Sequence, residues 1–180
     1  MNRRDELIES QEPFAIILGC SDSRVPAEIV FDQGLGDLFV IRVAGNIVAP
    51  SLVGSVEFAA AQFGTSLIVV LGHSSCGAVS ATLAGLANPD RELSPNLGEI
   101  IDRIRPSIEK LLEKEPALSA DELLQQAVRN NIRASANQLR RGSLVLERLV
   151  AEEGLLILGA EYSLETGVVE FFDGLSGEES

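Results

Sequence analysis

The sequence predicts an α/β domain with a mainly parallel four-stranded sheet, flanked by helices, and a fifth, antiparallel strand at its edge. Four apolar runs, rich in Ile, Val and Leu, are continuous rather than alternating, which is typical of parallel strands covered on both faces. Helical patterns separate these runs, and alternating strands and helices indicate a parallel sheet. A fifth run follows the fourth after a short turn signal, which favours antiparallel pairing.

The parallel strands are predicted at residues 14–19, 38–43, 66–72 and 155–159. The edge strand is predicted at 168–172, because the turn signal Glu165-Thr166-Gly167 leaves only a short connection from the strand before it. Ligands of such sheets bind beyond the carboxyl ends of the strands. We therefore look for a functional site at that edge of the sheet.

Helical patterns fill the segments between the strands. Ser51 is the predicted N-cap of the first helix, whose apolar residues fall on one face. Pro106 should kink or restart the third helix, and Ser119 with Glu122 forms a capping-box pattern that begins the fourth. The predicted helices cover residues 51–63, 77–87, 97–113, 119–139 and 143–152, with a break at 141–142.

Composition limits the possible functions. The chain has 180 residues, and we expect one domain over 1–180, with a short N-terminal arm (1–12) and a flexible tail (173–180). The net charge is −13, from 14 Lys and Arg against 27 Asp and Glu, so neither nucleic acid nor a membrane is an expected partner. No stretch approaches the roughly 20 apolar residues that span a bilayer. Residues 1–6 are not followed by the apolar segment of a secretory signal, and we expect a cytoplasmic protein.

The two cysteines and the single histidine of the chain all follow predicted strands. Cys20 comes after the first strand, and His73 and Cys76 come after the third. Thiolate and imidazole are the preferred ligands of zinc, and a spacing of three residues allows one tight turn to direct both His73 and Cys76 at one ion. No fourth Cys or His is present, so the predicted zinc site is open to water or closed by a carboxylate.

Simpler interpretations exist for these residues. Two small buried cysteines and one satisfied histidine are common in α/β cores, but their joint placement at two strand ends favours zinc. Asp22 and Arg24 are two residues apart, so in an extended segment both side chains point the same way. Such a pair is often an ordinary surface ion pair. Next to a candidate ligand, however, the carboxylate can hold a metal-bound water in place.

Several motifs together resemble the β-class carbonic anhydrases. The first is Cys20-Ser21-Asp22-Ser23-Arg24-Val25, followed by His73-Ser74-Ser75-Cys76-Gly77. Residues 31–39 (FDQGLGDLF), 42–46 (RVAGN) and 159–162 (GAEY), with Thr166-Gly167, are also similar to the family. The resemblance extends from about Gln11 to Phe172, which is nearly the whole chain.

The resemblance implies reversible hydration of CO2 to bicarbonate and a proton by a zinc-bound hydroxide. Zn²⁺ would be held by Cys20, His73 and Cys76, with water or hydroxide in the fourth position. In some members the aspartate that matches Asp22 replaces this water in a closed, inactive state, and the arginine that matches Arg24 holds it off the metal. The expected substrate-binding residues are Gln11, the backbone N–H of Gly77, and the pocket walls Phe39 and Phe58.

The resemblance also implies a homodimer or a higher homo-oligomer, with the pocket at the subunit interface. We expect the N-terminal arm that wraps a partner subunit in the family to be short or missing, because only about a dozen residues precede Phe14. Two alternatives remain open: hydrolysis of carbonyl sulfide or carbon disulfide on the same zinc site, and a non-catalytic zinc- or bicarbonate-binding homologue. A cysteine redox protein is weakly supported, because no C-x-x-C pair is present.

Overall fold

The computed structural model describes residues 2–88, 90, 92–114 and 118–175, and the strands in these ranges form a single sheet. They are β1 (Ala15–Gly19), β2 (Leu38–Arg42), β3 (Leu67–His73), β4 (Leu156–Tyr162) and β5 (Val169–Asp173). The strand order is β2-β1-β3-β4-β5. The first four strands are parallel and β5 runs antiparallel to β4, which confirms the predicted fold class.

Helices flank this sheet. None of those in the described ranges combines the length and apolar character that crossing a lipid bilayer requires. A 3₁₀ turn at Ala44–Asn46 follows β2. The helices are α1 (Arg3–Glu6), α2 (Ala27–Val30), α3 (Pro50–Phe63), α4 (Gly77–Ala87), α5 (Pro95–Lys114), α6 (Ala120–Arg141) and α7 (Leu144–Glu153).

The capping box that was predicted at Ser119 and Glu122 is present at the start of α6. Ser119 accepts a hydrogen bond from the N–H of Glu122, and the Glu122 carboxylate accepts one from the N–H of Ser119. These two bonds satisfy backbone donors that a helix start otherwise leaves free. β5 extends to Asp173, one residue into the predicted tail, and residues 176–180 lie outside the described ranges.

Two details of the helix predictions are wrong. Ser51 is not an N-cap, because α3 begins one residue earlier, with Ala49 as N-cap and Pro50 in the first helical position. The fixed φ of proline suits that position. The predicted restart of the third helix at Pro106 is also wrong, since α5 continues through that residue, while the alternative of a kink there stays a prediction. Ile104 and Ile108, on either side of Pro106, are both fully buried, so core packing holds the two halves in one helix.

α6 packs very closely on the sheet. Ile132 is fully buried and lies over two glycines, Gly72 of β3 and Gly159 of β4. A Cβ at Gly72 would lie 2.5 Å from Cδ1 of Ile132, and one at Gly159 would lie 2.9 Å from its Cγ2. Only glycine fits at this distance, so the two glycines allow α6 to approach the strand that ends in His73.

We predict that Ile132→Ala lowers the free energy of unfolding by about 2–5 kcal/mol, because it leaves a cavity under α6. The measurement is urea denaturation followed by circular dichroism. Leu144→Ala is the control, since the Leu144 side chain is 85% exposed and its removal should change stability by less than about 0.5 kcal/mol. Equal losses in the two variants would contradict the close packing.

Candidate metal centre

Three metal-ligating side chains meet at the carboxyl edge of the sheet. Cys20 directly follows β1, His73 is the last residue of β3, and Cys76 is the N-cap of α4. β1 and β3 are parallel neighbours, so their carboxyl ends lie side by side. The two sulfurs and one ring nitrogen all lie within 4.8 Å of one another. The structure thus brings together the three residues that the sequence nominated as zinc ligands.

His73 has one ring nitrogen with a partner and one without. Its Nδ1 lies 2.9 Å from the carbonyl oxygen of Ser74, which can accept the Nδ1 proton. Its Nε2 is buried and has no hydrogen-bond partner within the described ranges. A buried polar atom without a partner is costly, whereas an imidazole whose other nitrogen donates to a carbonyl is well prepared to bind a metal through the free one. With two sulfurs beside it, this nitrogen fits a zinc ion.

The pKa values of the two buried cysteines are shifted in opposite directions. Contact with Cys76 lowers the pKa of Cys20 more than burial raises it. The pKa of Cys76 is raised, first by the Cys20 sulfur and then by burial. Burial acts to lower the pKa of His73, but contacts with Cys20 and the Ser74 carbonyl outweigh it and the net pKa is raised. Both cysteine pKa shifts arise mainly from the contact between the two sulfurs, and a dication bound there would stabilise both as thiolates.

Asp22 and Arg24 form a bidentate ion pair beside the cluster. Arg24 donates from Nε to Oδ1 (2.9 Å) and from Nη2 to Oδ2 (2.7 Å), and its backbone N–H also donates to Oδ1 (3.0 Å). The Arg24 guanidinium holds the pKa of the Asp22 carboxyl well below its usual range. Oδ2 of Asp22 lies 3.8 Å from Nε2 of His73. A carboxylate that stays ionised is therefore fixed beside the cluster.

Sequence reasoning missed two groups that contact Cys20. Arg42, at the end of β2, donates from Nε to the Cys20 carbonyl (3.0 Å) and from Nη2 to the Asp22 carbonyl (2.6 Å). The backbone N–H of Gly45 donates to Sγ of Cys20 at 3.3 Å. Both residues lie in the RVAGN motif at 42–46, which marked the family resemblance but gave no hint of these contacts.

Ser74 connects the β4–β5 turn to the cluster. Its hydroxyl donates to Oε2 of Glu165 (2.9 Å) and accepts from the N–H of Leu164 (2.9 Å), while its carbonyl faces Nδ1 of His73. Glu165 was predicted only as part of a turn signal. Its contact with Ser74 spans 91 residues of sequence, so a local pattern could not reveal it.

The predicted substrate-binding residues fall into two groups. Gly77 is the first residue of α4 and follows Cys76, so its backbone N–H lies at the helix start beside the cluster. Phe39 lies in β2 opposite Ile16 of β1. Ile16 is four residues before Cys20, which corresponds to about 13 Å along an extended strand.

An aromatic cluster gathers the second group on one surface. Phe39, Phe58 and Phe63 have ring centroids 5.7–6.3 Å apart, and Phe58 is 55% exposed. Gln11 is exposed and lines a surface depression with Gln62 and Phe63. Gln11, Phe39 and Phe58 are therefore close to a shared surface that is separate from the cysteine–histidine cluster of the same chain.

Comparison with known proteins gives consistent matches. The carbonic anhydrase family model matches residues 15–169. Carbonic anhydrase 2 of Mycobacterium tuberculosis is 41% identical over 182 residues, which cover 99% of this chain and 84% of that protein. The carbonic anhydrase of Mycolicibacterium smegmatis is 42% identical over 171 residues, covering 94% of this chain and 80% of that protein.

Solved structures share the fold. The β-carbonic anhydrase CafA of Aspergillus fumigatus superposes with a TM-score of 0.87 at 26% identity, covering 97% of this chain and 82% of that one. A tetrameric β-carbonic anhydrase of Sordaria macrospora gives a TM-score of 0.85 at 24% identity, covering 99% and 88% of the two chains. At the latter identity the likeness concerns the fold alone.

We predict that zinc affinity rises with pH by about tenfold or more per unit between about pH 6 and about pH 8. The raised pKa of Cys76 keeps its proton in the metal-free protein at these pH values, so zinc must displace that proton and binds more weakly as pH falls. Competition with a chelator at several pH values measures the affinity, and a pH indicator in weak buffer measures the protons released. Cys76→Ala is the control and should release one proton fewer. A pH-independent affinity would contradict the prediction.

Proposed function

The chain belongs to the β-class carbonic anhydrases, and on that premise we propose that it catalyses the reversible hydration of CO2 to bicarbonate and a proton. We assign Zn²⁺ as its cofactor, with Cys20, His73 and Cys76 as ligands. Two observations carry the proposal: a ring nitrogen of His73 and both cysteine sulfurs lie within 4.8 Å of one another, and the buried Nε2 of His73 has no hydrogen-bond partner within the described ranges.

A zinc ion bound by this cluster would act as a Lewis acid that makes water a nucleophile near neutral pH. Three protein ligands would leave a position on such an ion for an exchangeable molecule, as catalytic zinc sites do. Within the described ranges no other combination of His, Cys, Asp and Glu gathers in this way. The donor set therefore supports a catalytic rather than a closed structural site.

Asp22 is the proposed hydrogen-bond acceptor for the attacking water, and Arg24 keeps it in place. The carboxylate lies 3.8 Å from Nε2 of His73 and remains ionised, because Arg24 lowers its pKa. Both of its oxygens accept hydrogen bonds from Arg24. This engagement supports an open site over one in which Asp22 itself closes the metal position.

The substrate pocket is proposed to require a second copy of the chain. Gly77 lies at the cluster of its own chain, but Phe39 lies about 13 Å away along the strand direction, and Gln11 and Phe58 are on the same distant surface. A homodimer that places this surface of one copy against the cluster of the other would provide the apolar walls for CO2. The exposed Phe58 ring supports an apolar contact at this surface.

We predict that Asp22→Asn lowers kcat/KM for CO2 hydration by roughly 100-fold while the zinc content stays at the wild-type level, because the variant loses the charged acceptor but keeps the three ligands. Stopped-flow hydration assays and metal analysis on the same samples provide the measurement. Asp102→Asn is the matched control, since Asp102 lies on α5 with a side chain that is 70% exposed.

Three results for the variant and the wild-type protein would contradict the proposed function. Wild-type activity in the Asp22→Asn variant would refute the role of Asp22. If the zinc-loaded wild-type protein hydrolyses carbonyl sulfide but does not hydrate CO2, carbonyl sulfide is the substrate and the proposed one is wrong. A wild-type protein with zinc and neither activity would indicate a non-catalytic homologue.

We also predict that kcat rises with buffer concentration at fixed pH and ionic strength, whereas kcat/KM does not. Histidine is the usual proton shuttle near neutral pH, but the only histidine of the chain is His73, which the zinc site uses. Without a histidine shuttle, we expect the proton to leave to buffer molecules, a step separate from the attack on CO2, and the alternative is a route through carboxylates and water. Initial rates in dilute and concentrated buffer test this, and a constant kcat would show an internal proton route.

A further inference from the structure

Two buried polar residues of α6 hold the 3₁₀ turn at Ala44–Asn46. Asn131 donates from Nδ2 to the carbonyl of Gly45 (2.7 Å), and the hydroxyl of Ser135 donates to the carbonyl of Asn46 (2.9 Å). Asn131 and Ser135 are four residues apart and therefore lie on one face of the helix. They are only 2% and 5% exposed, so both bonds are shielded from water.

The turn that they hold has an uncommon backbone conformation. Gly45 and Asn46 both have left-handed backbone conformations, with φ of 71° and 43°. A Cβ at Gly45 would lie 2.7 Å from Cδ1 of Ile104 and 3.0 Å from Cβ of Ala78, so the turn is wedged between α4 and α5. A left-handed, non-glycine residue such as Asn46 persists only where its surroundings determine the conformation.

This turn directs one backbone donor at a zinc ligand. The N–H of Gly45 donates to Sγ of Cys20 at 3.3 Å, and the carbonyl of the same residue accepts from Asn131. Asn131 is 86 residues away from Gly45 in sequence. α6 therefore reaches the Cys20 sulfur through one intervening residue.

We propose that Asn131 and Ser135 are positioning residues for the metal centre: they hold the Ala44–Asn46 turn so that Gly45 donates its N–H to the Cys20 sulfur. The inference rests on the proposed zinc site and adds two residues from a distant helix to it. A hydrogen bond to a ligating sulfur orients its lone pairs and reduces the charge that it donates to the metal. Both the affinity for the metal and the metal–sulfur bond should therefore respond to α6.

The test compares Asn131→Ala with Asn130→Ala. Asn130 is the adjacent residue of α6 and lines the groove between α5 and α6, away from the turn. Zinc affinity is measured by chelator competition, and cobalt(II) replaces zinc as a spectroscopic probe of the thiolates. Circular dichroism of the metal-free proteins checks that each variant is folded.

Asn131→Ala should weaken zinc binding about 10- to 100-fold, because the released turn no longer holds the Cys20 sulfur in position. It should also shift the thiolate-to-cobalt charge-transfer band to lower energy, because the Cys20 sulfur loses a hydrogen-bond donor. Asn130→Ala should retain the wild-type affinity and band. Wild-type values in Asn131→Ala would overturn the inference, and so would a weaker affinity with an unshifted band, since that result assigns Asn131 to general stability.

Ser135 provides a second test if Asn131→Ala does not fold without metal. Ser135→Ala should show a smaller loss of zinc affinity with a band shift in the same direction, and Ser135→Thr, which keeps the hydroxyl, should restore both. An unshifted band in Ser135→Ala would overturn the inference. A wild-type cobalt protein without any thiolate charge-transfer band would refute the proposed zinc site itself, so the two failures are distinguishable.

Discussion

The burial of two sulfurs and one imidazole at a single edge of the sheet is the constraint on which the rest of this structure depends. Polar atoms are normally hydrogen-bonded when they leave water, yet Nε2 of His73 has no hydrogen-bond partner within the described ranges. Under the proposed function, a metal ion would be the partner of this nitrogen. Because a metal that binds only the folded chain contributes its binding energy to folding, stability and function would then be coupled at this edge of the sheet.

Contacts from neighbouring elements keep the loops that carry the cluster in place. β2 contributes Arg42, which binds two carbonyls of the loop after β1, and the β4–β5 turn contributes Glu165, which binds Ser74. Ser75, between the two ligands of the second motif, has a left-handed backbone with φ of 56°. This conformation reverses the chain between β3 and α4, so that His73 and Cys76 can face one point. Backbone strain of this kind is usually found at functional sites.

Local sequence patterns predicted the fold and the ligand cluster because both follow from short-range features. Apolar runs located the strands, and the parallel arrangement then placed Cys20, His73 and Cys76 at one edge. The errors have physical causes that the pattern does not contain: α5 continues through Pro106 because Ile104 and Ile108 pack into the core on both sides of it. The groups that support the cluster were missed for a related reason, since their contacts join residues between 20 and 91 positions apart.

One copy of the chain contains all of the candidate metal centre but only part of the proposed substrate pocket. All three candidate ligands and the Asp22–Arg24 pair belong to one edge of one sheet, so metal binding needs no partner. The aromatic surface with Phe39 and Phe58 lies about 13 Å along the strand direction, too far for these side chains to enclose a molecule at the cluster of the same chain. Under the proposed function, assembly therefore controls turnover without controlling metal affinity. Dilution to the monomer would separate the two properties, because it removes the pocket walls and leaves the ligands in place.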